Sequence, residues 1–241
     1  ELASRIAGSS DIFGPSHRTI WSSVNYITVH DGMTLNDLVT YNHKHNFANG
    51  EDNRDGTDAN WSWNSGIEGM STDKQIMENR KLRLRAMMAT LLLSFGTPII
   101  RAGDEFLNTQ FGNNNAYCQD NVISYLMWET FCTEEINNIR FVKKLIKLRK
   151  RMGIFNRKNF FTGTVVDHKQ GLKDIAWYTD KGTEFTQADW YQASRKSLAY
   201  VVVAHEKLFM VVLNANANNL KWKLPNIKKS YKWNLLMDSS E

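Results

Sequence analysis

A histidine and an aspartate stand side by side where a predicted strand ends. Parallel α/β proteins place catalytic groups at the carboxyl ends of their strands, so His30 and Asp31 are a candidate site. Gly32 then turns the chain. The alternative is a pair that satisfies its own polar groups at a strand end. A continuous apolar run is typical of a parallel strand covered on both faces, and four strand-forming residues precede the pair: Val24, Tyr26, Ile27 and Val29.

Longer segments of the chain resemble a known family. They are YITVHDGMTLNDLVTYNHKHNFANGEDNRDG from residue 26, TPIIRAGDEF from residue 97 and QFGNNNAYCQDN from residue 110. Together they resemble the isoamylase-type glycogen debranching enzymes of the α-amylase superfamily. The segment DIAWYTDKGTEFTQADW from residue 174 resembles the small C-terminal β-domain of the same enzymes. The resemblance runs nearly end to end and implies the C-terminal part of a longer glycoside hydrolase.

The resemblance implies roles for the His–Asp pair. Retaining hydrolysis of a glycosidic bond needs a nucleophile and an acid about 5–5.5 Å apart, and this family adds a third carboxylate that binds sugar hydroxyls and strains the ring. The resemblance places that third group at Asp31, with His30 bonding hydroxyls of the same sugar. It also implies that the nucleophile and the acid/base lie upstream of Glu1. We therefore expect Asp31 at an opening and the chain alone to be inactive.

Four further residues are candidate substrate ligands, two of them through the resemblance and two through their side-chain chemistry. The loop that begins with AGDE contacts sugars in related enzymes, which points to Asp104 and Glu105; the alternative is a carboxylate that caps the following turn. The amides of residues 113–115, including Asn115, donate and accept as sugar hydroxyls do, although asparagine also favours left-handed turns. Tyr117 could stack on a pyranose ring.

The elements around these residues predict a βαβ unit. Asp73 is a candidate N-cap for a helix over residues 73–95, with apolar residues at helical spacing and four basic residues on its solvated side: Met77, Leu84, Met88, Leu91 and Phe95, then Arg80, Lys81, Arg83 and Arg85. A second strand is predicted over residues 97–102. A βαβ unit requires parallel strands, and the resemblance makes these the seventh and eighth strands of a (β/α)8 TIM barrel. Another helix is predicted over residues 134–151.

From about residue 155 the pattern changes to short β-branched and aromatic runs separated by turn residues. It predicts an antiparallel β-sandwich with strands near 175–178, 198–204, 208–213, 219–224 and 231–237. The fold class is then α/β plus all-β. Residues 1–153 form the last part of the catalytic barrel, and residues 154–241 form the C-terminal β-domain. Aromatic residues there suit either a core or a glucan platform, Tyr231 among them.

Composition limits the other functions. The net charge is +5, but the basic residues are intermixed with acidic ones, so we expect no nucleic-acid partner. No apolar run is long enough for a membrane helix. Two cysteines favour a reducing cytoplasm. NHKHN lacks a third zinc ligand and EDNRDGTD lacks the closing acid of a calcium loop, so no metal and no cofactor are predicted.

The sequence therefore predicts part of a glycogen debranching enzyme that hydrolyses α-1,6 branch linkages of glycogen or its limit dextrins with retention. The expected partner is glycogen or another branched α-glucan. Two alternatives remain open: another α-glucan hydrolase or 4-α-glucanotransferase of the same superfamily, or a non-catalytic carbohydrate-binding fragment. Two barrel strands without their neighbours leave open edges, so self-association of the fragment is a further expectation.

Overall fold

The computed structural model describes residues 1–128, 131–204, 207–226 and 232–241. Its helices and strands in chain order are α1 (Leu2–Ile6), α2 (Ser10–Phe13), β1 (Val24–Asn25), α3 (Leu35–Leu38), α4 (Lys74–Leu92), β2 (Thr97–Pro98), α5 (Thr133–Met152), β3 (Val165–Asp167), β4 (Leu172–Lys173), β5 (Ile175–Tyr178), α6 (Gln187–Trp190), β6 (Ser197–Ala204) and β7 (Lys207–Asn214). Single 3₁₀ turns lie at Ile20–Ser22, Phe47–Asn49, Asp104–Phe106, Ala116–Cys118 and Ile154–Asn156.

The chain divides into two compact units. One consists of Val24–Arg149 with Asp238–Glu241, and the other of Glu1–Ser23 with Lys150–Met237. The domain division expected from the sequence, at residue 153, stays a prediction. Among the described residues, no helix combines the length and the apolar character that a membrane span requires.

Helix α4 begins where the sequence predicts. The Asp73 carboxylate accepts hydrogen bonds from the backbone N–H groups of Gln75 at 2.9 Å and Ile76 at 3.0 Å, which confirms it as the N-cap. The helix ends at Leu92, three residues before the predicted end at 95, and Gly96 follows with a φ of +111°. A left-handed glycine after a helix turns the chain toward the next strand.

The faces of α4 differ from the prediction for one apolar residue and for two basic residues. Met77 is exposed, whereas Arg80 and Arg85 are buried. The Arg80 guanidinium donates to the carbonyls of Asn64 at 2.9 Å and Ile67 at 2.6 Å, so it holds the preceding loop. The prediction that these two arginines lie on the solvated side was wrong, because periodicity cannot reveal that a loop packs over a polar helix face.

Strands β1 and β2 are parallel, as the βαβ pattern predicts, with Val24 opposite Thr97 and Asn25 opposite Pro98. They are much shorter than the predicted runs of residues 24–29 and 97–102. Val24 and Tyr26 are 50% and 57% exposed. The expectation of a strand covered on both faces was therefore wrong for the described residues.

Helix α5 contains the predicted span and adds Thr133 and Met152 at its ends. Thr133 is the first helical residue, and the Glu135 carboxylate accepts from the backbone N–H of Cys132 at 2.6 Å. Val142 and Leu145 are buried as the pattern indicates. Arg149 donates to the carbonyls of Leu92, Ser94 and Gly96, which ties the end of α5 to the end of α4.

The other unit contains a three-stranded antiparallel sheet in the order β5-β6-β7 and a separate β3–β4 pair. Three of the five predicted strands are thus present. Residues 219–224 and 232–237 contain no strand, so those two predictions were wrong, and Tyr231 lies outside the described residues. Trp190 and Tyr191 are exposed, while Trp177 packs edge-on against buried Tyr200.

Candidate functional site

A cavity of about 180 Å³ lies in the unit formed by Val24–Arg149. Its lining residues are His30, Asp31, Gln110, Asn115, Ala116 and Tyr117. Four of the six residues predicted from the sequence therefore meet at one place, although some 80 positions separate His30 from Gln110 in the chain.

The His–Asp pair presents its polar groups outward. The side chains of His30 and Asp31 are 90% and 85% exposed, and His30 Nε2 lies 3.4 Å from Asp31 Oδ2. At that distance the contact is weak, so each side chain can still form hydrogen bonds with another group. The Asp31 carboxylate is therefore free to accept hydrogen bonds from a ligand in the cavity.

The turn after the pair joins it to the opposite wall of the cavity. Gly32 has a φ of +90°, a conformation that favours glycine. Its N–H donates to the carbonyl of Asn114 at 3.0 Å. This bond fixes the end of the His–Asp segment to the segment that carries Asn115 and Tyr117.

A buried carboxylate holds the loop in which Gln110 lies. The Thr34 hydroxyl accepts from the N–H of Asp37 at 3.0 Å, so Thr34 is the N-cap of α3. Asp37 is fully buried and accepts from the Thr109 hydroxyl and from the N–H groups of Gln110 at 2.8 Å and Gly112 at 3.4 Å. Burial raises the pKa of the Asp37 carboxyl, and these hydrogen bonds oppose that rise.

An asparagine network locks the two cavity loops together. Asn46 Nδ2 donates to Asn114 Oδ1 at 2.9 Å, and Asn114 N donates back to Asn46 Oδ1 at 3.0 Å. Asp55 Oδ2 accepts from Asn49 at 2.7 Å and from Asn115 at 2.8 Å. These hydrogen bonds, with Asn49 as the first donor, lower the pKa of the Asp55 carboxyl.

The asparagines of the segment 113–115 therefore divide into two groups. Asn113 and Asn114 are buried and their amides bond within the protein, so they have a structural role. Asn115 uses its Nδ2 on Asp55 but still lines the cavity. Tyr117 is 87% exposed, which leaves its ring open to a ligand.

Asp104 does not reach the cavity. It is 2% exposed, and its carboxylate accepts from the Thr28 hydroxyl and from the N–H of Leu35 at 2.9 Å. Burial raises the pKa of the Asp104 carboxyl. The expectation that Asp104 contacts a sugar conflicts with this burial. The alternative of a cap for the following turn also differs from the structure, because the described hydrogen bonds of the carboxylate go to Thr28 and Leu35 and not to the turn Asp104–Phe106. Glu105 is half-buried and accepts from the N–H of Gly103 at 2.9 Å, and its contact with a sugar stays a prediction.

The histidines of NHKHN make protein contacts. His45 Nε2 lies 2.9 Å from Glu68 Oε1, and the same carboxylate accepts from the N–H groups of Asn42 and His43. Across the described ranges, no group of three or more His, Cys, Asp or Glu side chains is arranged to hold a metal ion.

Sequence reasoning missed Gln110 and Ala116 in the cavity wall. Gln110 opens the motif QFGNNNAYCQDN, yet a glutamine in a loop carries no local signal of its own. Its place becomes evident only when the bond from its backbone N–H to Asp37 is known. Ala116 contributes no polar side-chain group.

Comparisons with known proteins agree with the resemblance. No protein-family model matches the chain. The "Glycogen operon protein GlgX homolog" of Mycobacterium tuberculosis is 38% identical over 254 residues, covering 100% of this chain and 35% of that protein. The Haemophilus influenzae protein of the same name is 40% identical over 94% of this chain. The "Glycogen debranching enzyme" of Dickeya chrysanthemi is 39% identical over 93% of this chain and 32% of its own length.

Solved structures give the fold. The pullulanase type I of Bacillus subtilis in complex with maltose has a TM-score of 0.58 at 22% identity, covering 93% of this chain and 25% of that one. A Paenibacillus barengoltzii pullulanase with maltohexaose and α-cyclodextrin has a TM-score of 0.56 at 21% identity, covering 89% and 27%. At this identity the likeness concerns the fold alone.

By sequence and fold together, the relatives of the chain are glycoside hydrolases of the α-amylase family. Within that class its sequence relatives are glycogen debranching enzymes and GlgX homologues, which confirms the resemblance found in the motifs. The chain spans about one third of the length of these curated relatives.

Proposed function

We propose that the chain supplies part of the glucan-binding site of an enzyme that hydrolyses α-1,6 branch linkages in glycogen or its limit dextrins with retention. The observation that carries the proposal is the convergence of His30, Asp31, Asn115 and Tyr117 on one cavity, with the Asp31 carboxylate exposed to it. The sequence relatives that bear the name glycogen debranching enzyme support the choice of substrate.

The geometry suits the role of a transition-state stabiliser for Asp31. A carboxylate accepts hydrogen bonds from two neighbouring sugar hydroxyls, and these bonds strengthen as the ring gains positive charge in an oxocarbenium-like transition state. An interaction that is stronger in the transition state than in the ground state raises kcat. His30 bonds a hydroxyl of the same sugar, and Tyr117 offers a face for the next ring.

Asp31 is the single carboxylate among the described residues that line the cavity. Retaining hydrolysis needs a nucleophile and an acid/base besides such a stabiliser. We therefore expect both to come from outside this stretch of chain, and we expect the chain alone to release no sugar. We also propose that β1, α4 and β2 belong to the last part of a (β/α)8 barrel, for which their parallel pairing is the supporting observation.

The test compares reducing-end release from glycogen limit dextrin by the chain and by an extended protein that includes it. We expect release by the extended protein only. In that protein Asp31→Asn should lower kcat by about 10²–10³-fold while limit-dextrin binding changes little. The control is Asp180→Asn, because the Asp180 side chain makes no hydrogen bond within the described residues and should leave kcat unchanged.

The outcomes separate the alternatives. An extended protein that binds limit dextrin without cleaving it would favour the non-catalytic carbohydrate-binding alternative. Transfer of glucan chains to an acceptor in place of hydrolysis would favour the 4-α-glucanotransferase alternative. An unchanged kcat in Asp31→Asn would refute the role given to Asp31.

A further inference from the structure

Gln110 is a buried polar side chain in the wall of the cavity. It is 6% exposed, and its Oε1 atom is buried without a hydrogen-bond partner in the described part of the chain. The same residue lines the cavity beside His30 and Asp31. Buried amides normally have their oxygen and nitrogen hydrogen-bonded, so an amide left unpaired at this place requires an explanation.

The backbone of Gln110 is fixed on both sides. Its N–H donates to Asp37 Oδ2 at 2.8 Å, and its carbonyl accepts from the N–H of Asn113 at 3.0 Å. The turn between them packs closely against its neighbours, because a Cβ at Gly112 would lie 2.8 Å from His45 and 2.9 Å from Tyr41. The position of the Gln110 side chain is therefore set by its surroundings, although no group in the described part of the protein donates a hydrogen bond to its Oε1.

The chemistry of the unpaired group indicates its partner. A glutamine amide offers an acceptor oxygen and two N–H donors, and a hydroxyl group is likewise both donor and acceptor. Gln110 is neutral, so it can bond a hydroxyl next to Asp31 without altering the charge of the site. An uncharged ligand with several hydroxyls satisfies both the carboxylate and the amide.

We propose that Gln110 binds a hydroxyl of the same sugar unit that His30 and Asp31 contact. The inference rests on the proposed function, since it gives that site a further binding residue. It also explains why an unpaired amide persists in a rigid wall. The bound hydroxyl provides the hydrogen bond that the described residues do not.

The test replaces Gln110 by methionine, which is unbranched, similar in size and unable to form the amide hydrogen bonds. In the extended protein, Gln110→Met should raise the inhibition constant for maltotetraose about 10-fold, equivalent to about 1.4 kcal/mol. In the chain alone it should not lower Tm and should raise it by up to about 2–4 °C, because an unsatisfied buried group is removed. Gln75→Met, on the exposed start of α4, is the matched control and should change neither value.

The two measurements distinguish binding from structural support. A fall in Tm together with weaker binding would assign Gln110 a structural role and overturn the proposal. An unchanged inhibition constant in Gln110→Met, with Asp31→Asn still impaired, would overturn this inference and leave the proposed function standing. If maltotetraose does not inhibit the extended protein and Asp31→Asn has no effect, the proposed function fails as well.

Discussion

Replacing Glu68 by glutamine should destabilise the chain at neutral pH and much less at pH 3. Burial raises the pKa of the Glu68 carboxyl, but hydrogen bonds from the N–H of Asn42, His45, the Asn64 amide and the N–H of His43 outweigh it and lower that pKa to about 2. The carboxylate thereby fixes the start of the loop in which His45 donates its N–H to the carbonyl of Gly112 at 2.8 Å.

The magnitude follows from linkage. The fall of the Glu68 pKa from 4.5 to about 2 corresponds to at most about 3.4 kcal/mol, at 1.36 kcal/mol per pKa unit. The side chain is 30% exposed, so solvent screening reduces this to about 1–2 kcal/mol. Because the folded pKa lies below the unfolded one, the contribution is present above pH 4.5 and is lost as the pH falls toward 2. About 1 kcal/mol should be lost between pH 6 and pH 3.

Urea unfolding at pH 6 and pH 3, followed by circular dichroism, measures the difference between the wild type and Glu68→Gln. The difference in unfolding free energy should be about 1–2 kcal/mol at pH 6 and smaller by about 1 kcal/mol at pH 3. Glu51→Gln is the control, because the Glu51 side chain makes no hydrogen bond within the described residues. A difference that is the same at both pH values would refute the reasoning.

Three other predictions concern the loops and the surface of the chain. Asp37→Ala leaves the N–H groups of Gln110 and Gly112 without an acceptor, so it should cost about 2–6 kcal/mol of unfolding free energy in urea titrations; Asp37→Asn, which retains an acceptor, should cost less. Asn114→Ala removes the bonds to Asn46 and to the carbonyl of Thr57, and differential scanning calorimetry should show a loss of about 2–4 kcal/mol. The chain alone should self-associate in sedimentation at high concentration, because apolar side chains at residues 24, 26 and 99 are exposed beside the open strands; a monomer at every concentration would contradict this.

The sequence indicated those candidate site residues whose neighbours in the chain form a recognisable pattern. His30 and Asp31 follow an apolar run and precede a glycine, which led to the prediction of a strand end; β1 instead ends at Asn25, and the two exposed side chains lie in the irregular segment that follows. The asparagine segment was also recognised, but its individual roles were not. Asn113, Asn114 and Asn115 have the same side chain, and only their packing against Asn46, Asn49 and Asp55 separates the structural residues from the cavity residue.

The errors have a common physical cause, which is contact between segments distant in the chain. Asp104 follows a predicted strand as a ligand would. However, the Thr28 hydroxyl and the Leu35 N–H, about 70 positions earlier, donate hydrogen bonds to its carboxylate. Arg80 is on a helix face that looks solvated until residues 64–67 pack over it. The segments predicted as strands at 219–224 and 231–237 have suitable composition, but residue type alone cannot guarantee a partner strand.

The paired amides of Asn46 and Asn114 have a thermodynamic consequence for ligand recognition. Because these bonds already order both loops in the free protein, the entropic cost of arranging the walls is met during folding and not when a glucan arrives. Association should therefore involve little loss of backbone freedom in the segments 42–60 and 108–119. Amide hydrogen exchange there should be slow without sugar and nearly unchanged when the sugar is bound.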